Sequence, residues 1–324
     1  MPSSPTTSAP SRVSPTDLAL LVYLGAVWGA AFLFFRVAAP ELGPVWTAEL
    51  RVAVGGLALA AFTGRSAWAA ARRQPKAILV VGATFSAIPF TLLAFATLSL
   101  PASLASLLMA TTPLFTSIVS AAWLRQRVTK GVAIGLGVGF GAVVFLLGGA
   151  PIELGPASIL AFAAGLGAAL SYAFAGTYVR RRAGDVAPLD LATGQLLAAA
   201  LILLPIAIAT GVPAALPSPA AAGSIVAMGI VSTAIAWPVF FRISGRTSAT
   251  AASSATFMVP MFGILWGGLI LGEHVGPELL AGFGLVLVSL VLVLRLPVPR
   301  PASLLPHLGR AVSRSTAAIG AVLR

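Results

Sequence analysis

From Leu18 to Leu294 the chain reads as apolar stretches of about twenty residues, parted by short joints that are polar or contain proline. Stretches of that length cross hydrocarbon as α-helices, the form that satisfies every backbone polar group within the segment. The pattern predicts ten of them, at residues 18–38, 44–63, 77–98, 102–123, 131–149, 156–178, 189–209, 220–241, 249–271 and 278–294. The expected fold is an all-α polytopic membrane protein.

The pattern also repeats. Ala102–Leu147 aligns with Ala249–Leu294 at a constant offset of 147, with 11 of 46 positions identical. Pro113 falls on Pro260, Phe115 on Phe262, Gly135 on Gly282 and Gly137 on Gly284. An earlier stretch aligns at offset 144, with Arg36 on Arg180, Glu41 on Asp185, Pro44 on Pro188 and Arg51 on Gln195. Residues 17–150 and 156–294 are therefore expected to be two five-helix repeats. Five is odd, so the second enters the membrane from the opposite side. Inverted repeats of this kind let a carrier build two alternating access states.

Charge placement orients the chain. Of its 20 Lys and Arg residues, 18 lie in the two tails and in every second joint, among them Arg65, Arg72, Arg73, Lys76, Arg125, Arg127, Lys130, Arg180–Arg182, Arg242 and Arg246. The alternate joints hold none and carry Glu41, Glu153 and Glu273. Basic residues stay on the cytoplasmic side, so both termini are expected there. The net charge of +12 is thus a topology signal with some attraction to anionic lipid, and no nucleic-acid partner is expected. Residues 1–16, rich in Ser, Pro and Thr, read as a disordered cytoplasmic tail. Residues 295–324 form a basic cytoplasmic tail, in which Leu308, Val312, Ile319, Val322 and Leu323 share a helical face that would suit the membrane surface; a disordered tail is the alternative. With no cysteine and only His274 and His307, neither a metal site nor a cofactor is expected.

The ordered set Trp28-Gly29, Arg51, Leu100-Pro101-Ala102-Ser103 leading to Pro113, then Tyr172, Gln195, the segment 249–260 and Gly272-Glu273 resembles the EamA-type members of the drug/metabolite transporter superfamily over residues 18–294. That resemblance implies a ten-helix carrier with a central cavity, moving a small metabolite across the bacterial cytoplasmic membrane. Gln126 stands where the family usually has Glu, which leaves Glu273 as the single copy. The first span holds no acid, unlike the small multidrug-resistance relatives, so cationic-drug antiport is disfavoured.

Ionisable groups inside a span are costly and mark candidate sites. Glu49 and Arg51 lie well inside the second span. Two residues apart on a helix, they point to different faces and cannot easily pair. Arg51 shares a stripe with Ala48, Gly55 and Ala58, small residues typical of packed faces. It could bind a carboxylate or phosphate of the substrate, or hold the repeats together, as Gln195 could in the second. Glu49 is the candidate for proton coupling; the alternative is a carboxylate paired with Arg36. Trp28, Tyr172 and Trp237, with Tyr178, Phe262 and Trp266, could line an amphipathic cavity. Proline frees a backbone carbonyl, so Pro113 and Pro260 point to helix breaks at the cavity, with Ser106 and Ser253 about two turns earlier as candidate substrate contacts. Gly131, Gly135 and Gly139 suit close helix packing, within the protomer or in a homodimer.

The function expected is secondary transport, export of an amino acid or similar metabolite by alternating access. A flippase for a lipid-linked precursor is the alternative. A membrane-embedded enzyme is strongly disfavoured, because no catalytic residues cluster within the spans.

Overall fold

A computed structural model describes residues 14–125, 129–149, 155–183, 185–246 and 255–294. The tails beyond these, Glu153, Gln126 and Ser253 lie outside the described residues. Among the described residues ten helices follow one another: α1 (Pro15–Leu42), α2 (Pro44–Arg73), α3 (Pro75–Ser99), α4 (Ala102–Leu124), α5 (Lys130–Gly149), α6 (Pro156–Arg182), α7 (Pro188–Ala209), α8 (Pro219–Ser244), α9 (Ala255–Leu271) and α10 (Pro277–Leu294). The first eight are long and apolar enough to cross a membrane; α9 and α10 are shorter apolar helices. Proline at the first helical position starts seven of the ten, where its missing N–H has no bond to lose. Leu57, Phe62, Val144, Leu201 and Leu269 are 66–87% exposed and point away from the bundle. A water-soluble protein would bury them; here they form the face that meets lipid.

The two halves, α1–α5 and α6–α10, are interleaved. Helix α2 packs along α7, α5 along α10, α1 along α9 and α8, and α6 along α4 and α3. Exchanging the halves maps α1–α9 onto α6–α4, α1–α8 onto α6–α3 and α2–α8 onto α7–α3, while α2–α7, α4–α9 and α5–α10 map onto themselves. Helices α2 and α7 run antiparallel, as the pairs Trp46–Gly211 (2.8 Å), Thr63–Thr193 (2.7 Å) and Ser66–Asp190 (2.6 Å) show.

Glycines set the closest crossings. A Cβ on Gly29 would come within 2.6 Å of Phe262 Cβ and 2.9 Å of the Gly263 amide, so α1 and α9 touch backbone to backbone. Gly135 lies against Ser289 and Leu292 of α10, and the Ser289 hydroxyl donates to Gly135 O at 2.6 Å. The face carrying Gly135 and Gly139 is thus covered within the chain itself.

The third helix of each half is widened by a π-type segment, Gly82–Ala87 in α3 and Ala227–Ile235 in α8. Proline follows each, Pro89 and Pro238. Having no N–H, proline cannot return a bond to the carbonyl four residues back, and the turn before it opens. In α3 the Ile88 amide reaches Ala83 O, and the Ser171 hydroxyl of α6 donates to Thr84 O at 2.7 Å. In α8 the Thr233 hydroxyl donates to Met228 O at 2.8 Å. The wide turn of α3 packs on α7 and α6, and that of α8 packs on α2 and α1.

Candidate substrate-binding site

Arg51 is buried, 6% exposed, and carries no ion pair among the described residues. Its guanidinium carbon lies 3.8 Å from the centre of the Phe90 ring and 5.1 Å from that of Phe35. Its Nε has no hydrogen-bond partner. A cation over the face of a desolvated ring gains about 2 kcal/mol, far less than water provides, so the site holds a charge that is incompletely satisfied. The small neighbours on the Arg51 stripe allow this: Ala48 is fully buried, and Gly55 meets Thr233 and Gly229 of α8.

From Phe90 a chain of rings crosses the bundle. Phe90 meets Tyr172 of α6 (6.5 Å between centroids), Tyr172 meets Phe85 edge-on (5.1 Å), and Phe85 meets Trp237 of α8 (5.8 Å). Trp237 meets Trp28 of α1 edge-on (6.1 Å) and stacks with Phe241 (5.3 Å). Trp28 is fixed at its polar edge, its indole donating to Ser232 O at 3.1 Å while the Ser232 hydroxyl donates back to Val27 O at 2.8 Å. Arg51, Tyr172, Trp237 and Trp28 are thus brought together by two residues the sequence reading missed, Phe85 and Phe90. Phe85 lies within the opened turn and Phe90 directly follows Pro89; the signal was an aromatic on each side of an in-span proline.

The other candidates stand apart from this chain. Gln195 is buried on α7 beside Gly82, at the π-type turn of α3. Ser106 sits in the α4–α9 crossing, pressed on Gly263, and its hydroxyl donates to Ser103 O at 2.7 Å. Helix α4 breaks at Ala110–Thr111, where the amides of Ala110 and Thr111 make short i→i−3 bonds to Leu107 O (3.0 Å) and Leu108 O (3.1 Å); Pro113 opens the second half. Pro260 is buried within α9. Tyr178 packs with Trp123 and Phe174 near the arginine-rich end of α6, and Phe262 and Trp266 stack along α1, away from the ring chain.

Glu49 is 5% exposed, and its Oε2 has no hydrogen-bond partner. It does not pair with Arg36, which donates instead to Thr97 O (2.6 Å) and Leu98 O (3.0 Å) at the end of α3. Two other carboxylates cap helices of the opposite half. Glu41 accepts from the Ser218 amide and hydroxyl, each at 2.7 Å. Glu273 accepts from the amides of Ala102 (2.6 Å) and Ser103 (3.0 Å), the free donors at the start of α4. Gly272, at φ 65°, turns the chain so that the Glu273 amide returns to Gly267 O at 3.0 Å and the carboxylate points at α4. Among the described residues no three acidic, His or Cys side chains gather as a metal site would require.

Comparison with known proteins fits this architecture. The model of the EamA-like transporter family matches residues 17–148 and 159–295. An uncharacterized transporter of Bacillus subtilis, YvbV, is 27% identical over 276 residues, covering 85% of this chain and 90% of its own. A probable terminal-alkyne amino-acid exporter of Streptantibioticus cattleyicolor is 26% identical over 281 residues, covering 85% of this chain and 92% of its own. A chain of known crystal structure superposes with a TM-score of 0.60 at 18% identity, over 86% of this chain and 96% of that one, and so shares the fold.

Proposed function

Since the chain belongs to the EamA-like transporter family and is a multi-pass transporter of the cell membrane, we propose that it is a secondary carrier exporting small amino-acid-like metabolites by alternating access. The observation that carries this reading is the buried, ion-pair-free Arg51 at one end of the ring chain. A substrate carboxylate takes the open guanidinium donors, and the rings of Tyr172, Phe85, Trp237 and Trp28 hold an apolar side chain or an ammonium group. A free carboxylate with an apolar body belongs to many amino acids, and one relative is named a probable terminal-alkyne amino-acid exporter. The halves are inverted repeats with both termini in the cytoplasm; the exchange of helix pairs and the placement of basic residues support this. Glu49, a buried carboxylate with an unpartnered oxygen, couples export to proton entry.

Purified protein in liposomes, loaded with unlabelled leucine and given labelled leucine outside, tests the reading. Counterflow is expected with the parent chain. Arg51→Gln lowers it about 100-fold, because truncating one partner of a buried charge pair costs about 3 kcal/mol. Equal counterflow by both proteins at equal incorporation would refute Arg51 as the carboxylate contact.

A second reading, lipid flipping, is favoured by one feature: an apolar groove of about 520 Å³ on the flank of α2, α3 and α6, lined by residues including Val45, Leu92, Phe95, Leu160 and Gly167. Scrambling of a fluorescent lipid in the same liposomes, without leucine counterflow, would select it.

A further inference from the structure

Among the described residues the two ends of the bundle are packed to different degrees. At the Glu41 end, α1 packs along Pro219–Val226 of α8, and α6 packs along Ile88–Ser99 of α3. Exchanging the halves turns these pairs into α6 with Pro75–Val81 and α1 with Ala236–Arg246, and both of those touch more sparsely.

The side chains follow the same asymmetry. Glu41 lies in the last turn of α1, which runs on through Pro40 to Leu42. Its carboxylate accepts from the amide and hydroxyl of Ser218, the N-cap of α8. Offset 144 places Asp185 on Glu41, Gln74 on Ser218 and Pro75 on Pro219. Gln74 is the N-cap of α3, and like Ser218 it precedes a proline at the first helical position. Among the described residues no side chain caps that end of α3. Asp185 is exposed and accepts no hydrogen bond among the described residues. Helix α6 ends at Arg182, about one turn short of the point that matches Leu42 in α1.

We infer that Glu41 and Asp185 are alternating latches: Glu41 holds the external side shut in this structure, and Asp185 caps α3 when the cytoplasmic side shuts. In that opposite state Asp185 accepts from the free amides of Lys76 and Ala77 in the first turn of α3, since the Gln74 amide is already bound to Ala70 O at 2.9 Å as the last bond of α2. As the external latch opens, Ser218 and the start of α8 lose their carboxylate. One contact forms as its counterpart breaks, so the two states stay close in free energy, as a carrier requires. The inference rests on the alternating-access reading proposed above.

The chain contains no cysteine, so an introduced one reports alone. Ser86, next to Phe85, is 1% exposed with an unpartnered hydroxyl, and Ser86→Cys changes little else. Its labelling by a membrane-impermeant methanethiosulfonate is followed from outside in intact cells and from inside in everted vesicles. Glu41→Ala is expected to raise the outside rate ~5–10-fold and lower the inside rate. Asp185→Ala moves both rates the other way, and the double variant returns them toward the parent. Glu41→Gln keeps a neutral acceptor for Ser218, so it shifts the rates by about 2–3-fold with the same sign and serves if the alanine variant misfolds. Rates within twofold of the parent in all three single variants overturn the latches. Saturating leucine separates the two levels. If leucine alters parent labelling but the variants do not, the latches alone fail. If leucine leaves both parent rates unchanged, the carrier reading fails and the latches with it.

Discussion

Removing the Glu273 carboxylate tests how the two halves are joined. In Glu273→Ala the amides of Ala102 and Ser103 lose their acceptors, and the N-cap of α4 is Pro101, which offers no side-chain cap. Loss of an N-cap costs about 1 kcal/mol, and the carboxylate adds about 0.5 kcal/mol through the helix dipole. Both bonds are charge-assisted and the site is only half-buried, so we expect a total of about 2–3 kcal/mol. In a chain of 324 residues that is about 3–5 °C in Tm, read by the fluorescence of a thiol-free dye during heating of the detergent-purified protein. Glu273→Gln keeps one neutral acceptor and should lose about half as much. A second substitution sharpens the test. A Cβ on Gly267 would strike Glu273 Oε2 and displace the carboxylate from α4. Gly267→Ala should therefore lower Tm by itself, and adding Glu273→Ala should cost much less than in the parent. A Tm within 1 °C of the parent for Glu273→Ala, or full additivity of the pair, would refute the cap.

Two further substitutions probe the scaffold under the site. Gly29→Val drives a branched side chain into α9, whose backbone atoms lie 2.9 Å from where its Cβ would stand, and should cost about 1–3 kcal/mol by overpacking, measured as lowered Tm and lowered counterflow together. Ser171→Ala removes the hydroxyl that satisfies Thr84 O in the opened turn of α3 and should cost about 1 kcal/mol; unchanged Tm would mean that the turn is held by Pro89 alone.

Hydropathy made the helices legible because a bilayer demands one uniform solution, a helix of about twenty apolar residues. The ends were less legible. Helix α1 extends to Leu42 and α2 to Arg73, well past the predicted limits at 38 and 63, because the bundle goes on packing after the apolar run stops: Thr63 binds Thr193 and Ser66 binds Asp190. Arg51, Trp28, Tyr172 and Trp237 could be named from residue type inside a span, but Phe85 and Phe90 could not be told from lipid-facing phenylalanines without the fold. The residues Gly272-Glu273 and Ala102-Ser103 were both noticed, yet they are separated by 170 positions, and nothing local says that one caps the other.

The places where the halves disagree carry the most information. Helices α2 and α7 pair with each other, so exchanging the halves returns the same seam, and a purely structural seam would be alike at both ends. Offset 144 maps Thr63 onto Ala207 and Glu49 onto Thr193. At one end of the seam two hydroxyls share a hydrogen bond of 2.7 Å. At the other the exchange places the methyl of Ala207 opposite Glu49, whose Oε2 finds no partner. Two residues on, the same exchange maps Arg51 onto Gln195. Hydroxyl pairs and an amide would have sufficed for packing and would have avoided burying two charges. Both charges fall in the first half and neither has its counterpart in the second. On the proposed carrier reading, a cargo and a proton each bound once between two similar halves need one cation and one acid. They do not need two of each, and the broken symmetry of this seam is what such a cargo would leave in the sequence.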